Sequence, residues 1–337
     1  MVSQPIRWTL VQLRSRMLRE LDLAFRSMRI RLDSGRTRRF VISRWYGRAG
    51  NNIQQLLIIA FHAEAFSGSI FVTQEDLAKG KISDLLLPFT LDFGPLGRPE
   101  APPVIRRFFH FTEHSFRSGN PRRAGFIPGV LVRRDSLLSA ERVRRNLHRV
   151  ARHHLRPHLN IIEPKRQAGD RLVLHLRSGD IAGLDHPTYL VNPLWYYRQL
   201  ALLHHDVLVV TEPGRPHPLL DELRSLFRSV QITSGTMADD FTLLRSCRQL
   251  ATSGVGTFAV AAALVSTELE CFHCSDLYLS EHLNPAMLNP AYVRVKMIRL
   301  PGFVDCWRRS QDRITLLREW KPTRRFPAGA DRRPASG

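Results

Sequence analysis

The chain has 337 residues, a formal net charge of +20 at pH 7 and 43% hydrophobic residues, the apolar share of a globular protein. That length accommodates two domains of ordinary size, each with its own core. The longest apolar runs, Leu56–Phe61 and Phe258–Val265, fall far short of the roughly 20 residues that cross a bilayer.

Arg dominates the positive charge, because Lys79, Lys81, Lys165, Lys296 and Lys321 are the only lysines. A planar guanidinium suits phosphate binding through two parallel hydrogen bonds. The arginines are spread along the chain, without an RNP-type aromatic motif or finger-like Cys/His spacing, which argues against nucleic acid as the main partner. Nucleotide phosphates and an anionic membrane surface fit this charge better.

The cysteines Cys247, Cys271, Cys274 and Cys306 are too few and too irregular for a disulfide framework, which predicts a reducing, cytoplasmic compartment. Cys271-Phe272-His273-Cys274 offers three zinc ligands. No second pair lies at finger-like spacing, so alternation along a buried strand is the better fit and no metal is expected.

In chain order, residues 3–30 within the segment 1–35 read as a basic amphipathic helix. Ser3 can cap it and Pro5 suits its first turn. Ile6, Leu10, Leu13, Met17, Leu21, Phe25 and Met28 recur at helical spacing between arginines. Such a helix can lie among anionic headgroups, or dock its stripe on the protein's own body. The N-terminus has no uninterrupted apolar core, which speaks against a cleaved signal peptide.

Residues 36–160 form the first expected domain. Phe40–Ser43 reads as a strand, Gly47-Arg48-Ala49-Gly50-Asn51-Asn52 as a glycine loop, Ile53–Phe66 as a helix and Ser69–Thr73 as a second strand. This alternation predicts a parallel sheet. Residues 88–103 and 117–129, rich in Pro and Gly, read as long loops. A helix over 136–155 follows, ended by Pro157.

After a connection at 160–170, the second domain (161–320) alternates regularly. Strands are expected at 171–176, 206–211, 230–233, 249–252 and, as the last, 270–274. Helices are expected at 192–204, 216–227, 239–247 and 257–266. That is a Rossmann-like, doubly wound pattern. The tail 321–337, with its Pro, Arg, Gly and Ser, reads as disordered.

Ligands of an open α/β sheet bind beyond the C-terminal ends of the strands, where three of these loops fall. Gly47 and Gly50 can expose backbone N–H groups, and Asn51 sits where a helix begins. His175-Leu176-Arg177-Ser178-Gly179-Asp180 presents an Arg that can clamp a pyrophosphate, with Asp180 able to hold it. Ser253-Gly254-Val255-Gly256-Thr257 offers small residues, hydroxyls and a helix N-terminus. Asp239 and Asp240 open a helix and either contact a ligand or only cap it.

These segments resemble the α-1,2/α-1,6-type fucosyltransferases and their bacterial relatives. Gly47–Asn52 is similar to the family's Gly-x-x-Gly-Asn-Gln loop, with Asn52 in place of Gln. His175–Asp180 is similar to its His-x-Arg-Arg-x-Asp motif, with Ser178 in place of the second Arg. Asp240 through Cys247 to Thr257-Phe258-Ala259 is similar to its third block. The resemblance covers most of residues 40–275.

It implies a GT-B-like fold, two Rossmann-like domains with parallel sheets facing across a cleft. It also implies an inverting, metal-independent glycosyltransferase that takes a GDP-sugar, fucose in the family, as donor substrate and needs no cofactor. Arg177 would bind the β-phosphate, His175 and Asp240 the guanine, and the turn with Ser253, Gly256 and Thr257 would close on the pyrophosphate, beside Gly50 and Asn51. Cationic side chains and N–H groups would stabilise the leaving diphosphate. The acceptor would be a glycan or lipid-linked glycan in polysaccharide biosynthesis at the inner membrane face. Ser178 leaves one cation fewer at the phosphates, so another nucleotide-sugar stays open. So does a non-catalytic basic module for nucleic acid or acidic glycans. Glu64, His110, Glu113 and His114 are equal candidates for the general base.

Overall fold

A computed structural model of the chain describes residues 38–40, 45, 48–65, 68–93, 146–160, 162, 167–179, 189–212, 214, 216–279 and 282–322. The expected N-terminal helix, Gly47, His110, Glu113, His114, Asp180 and the tail from 323 lie outside these residues.

The larger unit is a six-stranded parallel sheet. Its strands are β4 (Leu172–Leu176), β5 (Asp206–Thr211), β6 (Ser229–Thr233), β7 (Gln249–Thr252), β8 (Cys271–Ser275) and β9 (Arg294–Ile298). They lie in the order β6-β5-β4-β7-β8-β9, and every neighbouring pair is parallel. The chain starts in the middle, steps outward one way, then returns to build the other side. That is the doubly wound order of a Rossmann-like sheet, and its direction reverses between β4 and β7.

Burial on both faces explains the nearly continuous apolar runs of these strands. Leu172, Leu174 and Leu176 point into one core with Val207, Val209 and Ala251. That core is covered by α3 (Leu194–Ala201), α4 (Leu220–Leu226), α7 (Phe303–Arg309) and α8 (Arg313–Glu319). Val173, Leu208, Val210, Leu250 and Phe272 point the other way, under α5 (Met237–Ser246) and α6 (Phe258–Val265). α6 is apolar all round because it is covered all round, with the sheet below it and a further layer above.

That further layer comes from the N-terminal unit, in which β1 (Arg38–Phe40), β2 (Gly68–Val72) and β3 (Phe89–Asp92) form a small sheet. Its helix α1 (Ala49–Ala65) buries Ile53, Leu56, Leu57, Ile59 and Ala63 in the same core as α6. Fully burying each of these Ile and Leu side chains contributes roughly 1.5–3 kcal/mol. The alanines of α6 let the two helices approach closely. A short helix α2 (Gln74–Lys79), closed by a Thr73–Asp76 capping box, follows β2. A helical segment at 146–158 completes the layer; within it Ala151–Leu155 is a π-turn and Arg156–His158 a 3-10 turn, where Pro157 ends the helix as expected.

Three expectations are corrected. Residues 89–92, read as part of a loop, form β3, which runs antiparallel to β2, so the described first sheet is mixed and not parallel. Five residues between Pro88 and Gly94-Pro95 carry too little pattern to announce a strand. β8 is not the last strand, because β9 lies beyond it at the sheet edge. Its Arg294-Val295-Lys296-Met297-Ile298 sequence carries the charge of an edge strand, not the apolar run of an interior one. Finally, α1 begins at Ala49, which places Gly50–Asn52 in a helical turn instead of a free loop. Among the described residues, no helix is long and apolar enough to cross a membrane.

Candidate functional site

The loops after β4 and β7 meet where the sheet order reverses, the place where such sheets bind ligands. His175 is the single polar residue of an otherwise apolar β4, flanked by Val210 of β5 and Thr252 of β7. Alternation puts it on the Val173 face, beneath the start of α6, with its ring 5.5 Å from that of Phe258. Burial, reinforced by the Arg177 charge, pushes its pKa down to about 4. The ring is therefore neutral at pH 7 and offers one donor and one acceptor.

Arg177 follows immediately. Its backbone N–H donates to Ser253 Oγ at 2.9 Å, joining the β4 loop to the β7 loop. Its guanidinium lies 4.5 Å over the Tyr189 ring and reaches the Val255 carbonyl at 3.5 Å. Stacking on an aromatic face holds the planar fork in one orientation. Ser178, where the resembled motif has Arg, is fully buried and crosslinks strand ends. Its hydroxyl is 3.0 Å from Thr211 Oγ1 and accepts from the Glu212 N–H at 3.2 Å. An Arg could not occupy that position.

The Ser253–Thr257 turn is braced by Leu190 and Asn192. Asn192 N–H donates to the Ser253 carbonyl at 2.8 Å, and Val255 N–H to the Leu190 carbonyl at 2.9 Å. The Asn192 amide donates to the Thr252 carbonyl at 3.0 Å and accepts from Ser275 Oγ at 2.6 Å. Gly254 has φ +124°, and a β-carbon there would strike the Leu190 carbonyl. Gly256, by contrast, borders open space. Thr257 leads into α6 without capping it, since its hydroxyl donates to Asn51 Oδ1 at 2.8 Å. No side chain caps the first N–H groups of α6.

The first loop thus meets the third. Gly50 abuts Thr257 Oγ1 and lies where a β-carbon would be 2.6 Å from Phe258 N. Arg48 ion-pairs with Glu212 at the end of β5, and Glu212 closes over Gly179, whose φ is +66°. Gly50 and Asn51 therefore serve as packing partners of the site's wall. Glu212 is an addition that no motif announced. The only signal for Glu212 was its place at a strand end before Pro213-Gly214.

Asp239 and Asp240 divide two roles. Asp239 completes a capping box with Thr236, as a purely structural reading predicts. Asp240 Oδ1 accepts from the Gly235 N–H at 3.1 Å. Burial, with the charges of Asp239 and Glu212, outweighs that bond and pushes its pKa up to about 6. A carboxyl whose folded pKa exceeds its unfolded 3.8 stabilises the fold at low pH, and that contribution is lost as the pH rises through 6. Asp240→Asn is accordingly expected to raise stability at pH 7.5 by about 1 kcal/mol after solvent screening, with no gain at pH 3.5. Thermal unfolding at both pH values checks it; a loss at pH 7.5 would contradict the assignment.

Glu64, the described candidate for general base, is already committed. Arg149 donates to it from both terminal nitrogens, with Nη1–Oε1 at 2.6 Å, and His154 lies 3.4 Å away. These bonds outweigh burial and pull its pKa down to about 2, which makes it a poor proton acceptor. Cys271-Phe272-His273-Cys274 lies in β8 as a buried, alternating strand. Among the described residues, no group of three or more His, Cys, Asp or Glu could hold a metal ion.

Comparison of the chain with protein-family models, with curated proteins and with solved structures finds no match.

Proposed function

We propose that the chain is a glycosyltransferase that binds a nucleoside-diphosphate sugar at the β4–β7 switch point. The observation that carries this reading is the convergence there of Arg177, a neutral His175 and the uncapped start of α6. Arg177 and the α6 N–H groups would hold the two phosphates, and His175 and Asp240 would hydrogen-bond the base. In the same reading, residues 36–160 supply the acceptor side of a GT-B-like pair and 161–320 the donor side. The sugar is transferred with inversion as the diphosphate leaves, its charge stabilised by guanidinium and N–H donors. The resemblance favours GDP-fucose, with a glycan or lipid-linked glycan as acceptor. Ser178 is buried between strand ends, so Arg177 would be the one motif arginine at the phosphates.

A thermal-shift panel of GDP, UDP, CDP and ADP tests this. GDP is expected to stabilise the wild type. Arg177→Ala should weaken GDP binding about thirtyfold or more, the loss of about 2 kcal/mol of charge-assisted bonding. Arg177→Lys, which keeps the charge but not the fork, should fall between. Stabilisation by another nucleotide would transfer the reading to that donor. No response to any nucleotide, together with salt-sensitive RNA binding, would refute it.

A further inference from the structure

Glycine loses more backbone freedom on folding than any other residue, so a fold gains nothing from one it does not need. A left-handed backbone needs it, and so does a neighbour too close for a side chain. Every other glycine whose surroundings the structure describes meets one of these conditions. Its φ lies between +58° and +124°, or a β-carbon on it would come within 3 Å of another atom. Gly256 meets neither. Its φ is outside the left-handed range, and a β-carbon there would find nothing within 4 Å.

The space beside Gly256 is not open surface. The residue is partly buried between the buried Val255 and Thr257, in the turn that leads from the C-terminal end of β7 into α6. Both neighbours are pinned: Val255 N–H donates to the Leu190 carbonyl at 2.9 Å, and Thr257 Oγ1 to Asn51 Oδ1 at 2.8 Å. The Val255 carbonyl, in the same peptide unit as the Gly256 N–H, is the one that the Arg177 guanidinium reaches at 3.5 Å. The gap therefore lies beside the fork that Tyr189 holds in place. A bare Cα in a pinned turn lets ligand oxygens come close to the main chain, as a side chain would not.

We propose that Gly256 decides admission to the switch-point site: a diphosphate lies against its bare Cα, between the Arg177 fork and the start of α6. The inference rests on the nucleoside-diphosphate reading above and adds the residue at which the fit is decided. The folded chain does not need this glycine; its ligand does.

Calorimetry and thermal shift on the full chain test this with GDP and inorganic pyrophosphate, on wild type, Gly256→Ala, Gly256→Val and Arg177→Ala. Without ligand, Gly256→Ala is expected to raise Tm by about 1–2 °C, because the methyl meets no clash and the unfolded chain loses freedom. Gly254→Ala, at φ +124° and against the Leu190 carbonyl, should lower it. Gly256→Ala should weaken GDP binding about tenfold, and Gly256→Val about a hundredfold. Pyrophosphate, which has neither base nor sugar, should lose affinity in the same proportion. A lower Tm of unliganded Gly256→Ala would make the glycine structural and overturn the inference. GDP lost in Gly256→Val with pyrophosphate unchanged would put the diphosphate elsewhere and overturn it too. Affinity unchanged in both Gly256 variants but lost in Arg177→Ala would overturn it and leave the nucleotide reading standing. A wild type that binds neither GDP nor pyrophosphate, nor any other nucleotide of the panel, would overturn both.

Discussion

Lowering the pH from 7 to 5 should cost the fold on the order of 7 kcal/mol, because His175 and three further histidines are built in as neutral rings. His148 Nδ1 accepts from the Asn289 N–H at 3.1 Å, and His217 Nδ1 accepts from the Leu219 N–H at 3.2 Å. A protonated ring cannot accept those bonds. His273 is buried in β8, with its Nε2 3.2 Å from His204 Nε2 and 3.3 Å from Gln249 Oε1. Burial, the main cause in each case, pushes the pKa of His148 down to about 4 and those of His217 and His273 to about 3. Arg152 adds to the effect at His148; His204, Lys296 and Arg294 add to it at His273.

The sign follows from the unfolded value of 6.5. Stability from these depressed histidines is present above pH 6.5 and is lost as the pH falls toward 4, where only the unfolded chain takes up the protons. By pH 5 each ring accounts for about 2 kcal/mol. Asp240 opposes this over part of the range, but with about 1 kcal/mol. Glu64 is lost only below its unfolded 4.5, outside the window. Since a domain's stability is about 5–15 kcal/mol, Tm should fall steeply between pH 6.5 and 5. A Tm flat across that interval would show that the rings are not held neutral.

The second large effect is expected at Gly50. A β-carbon at this position would meet Thr257 Oγ1 and, at 2.6 and 2.8 Å, the backbone N and Cα of Phe258. Backbone atoms of a buried helix cannot step aside cheaply, so Gly50→Ala should destabilise the protein by about 2–3 kcal/mol. Chemical denaturation measures it. The result also separates two roles for this glycine. A glycine that merely bares its N–H to a phosphate would lose nucleotide affinity with little change in stability. One that admits α1 against α6 would lose stability first, and a wild-type denaturation midpoint in Gly50→Ala would exclude that packing role.

The C-terminal unit was largely legible because its signals are local. Short apolar strands such as Asp206–Thr211 alternate with helices, and a parallel sheet buried on both faces needs nothing more to be recognised. His175 stood out for the same reason, as a polar interruption in β4. β3 and β9 were missed because a short strand after Pro88 and a charged edge strand depart from that pattern. The motif at 47–52 pointed to the right place but to a different use. Its Gly50 and Asn51 are spent on α6, and only the partner helix reveals that.

Residue order alone thus determined the alternating elements of 171–274, the strand ends from which the loops emerge, and the Arg that presents a fork there. Tertiary structure decided the rest. Strand order placed β4 beside β7, which made two separate loops one site. Burial made His175 neutral and raised Asp240. Those properties depend on which groups distant in sequence exclude water or bring charge, and no local pattern carries that information.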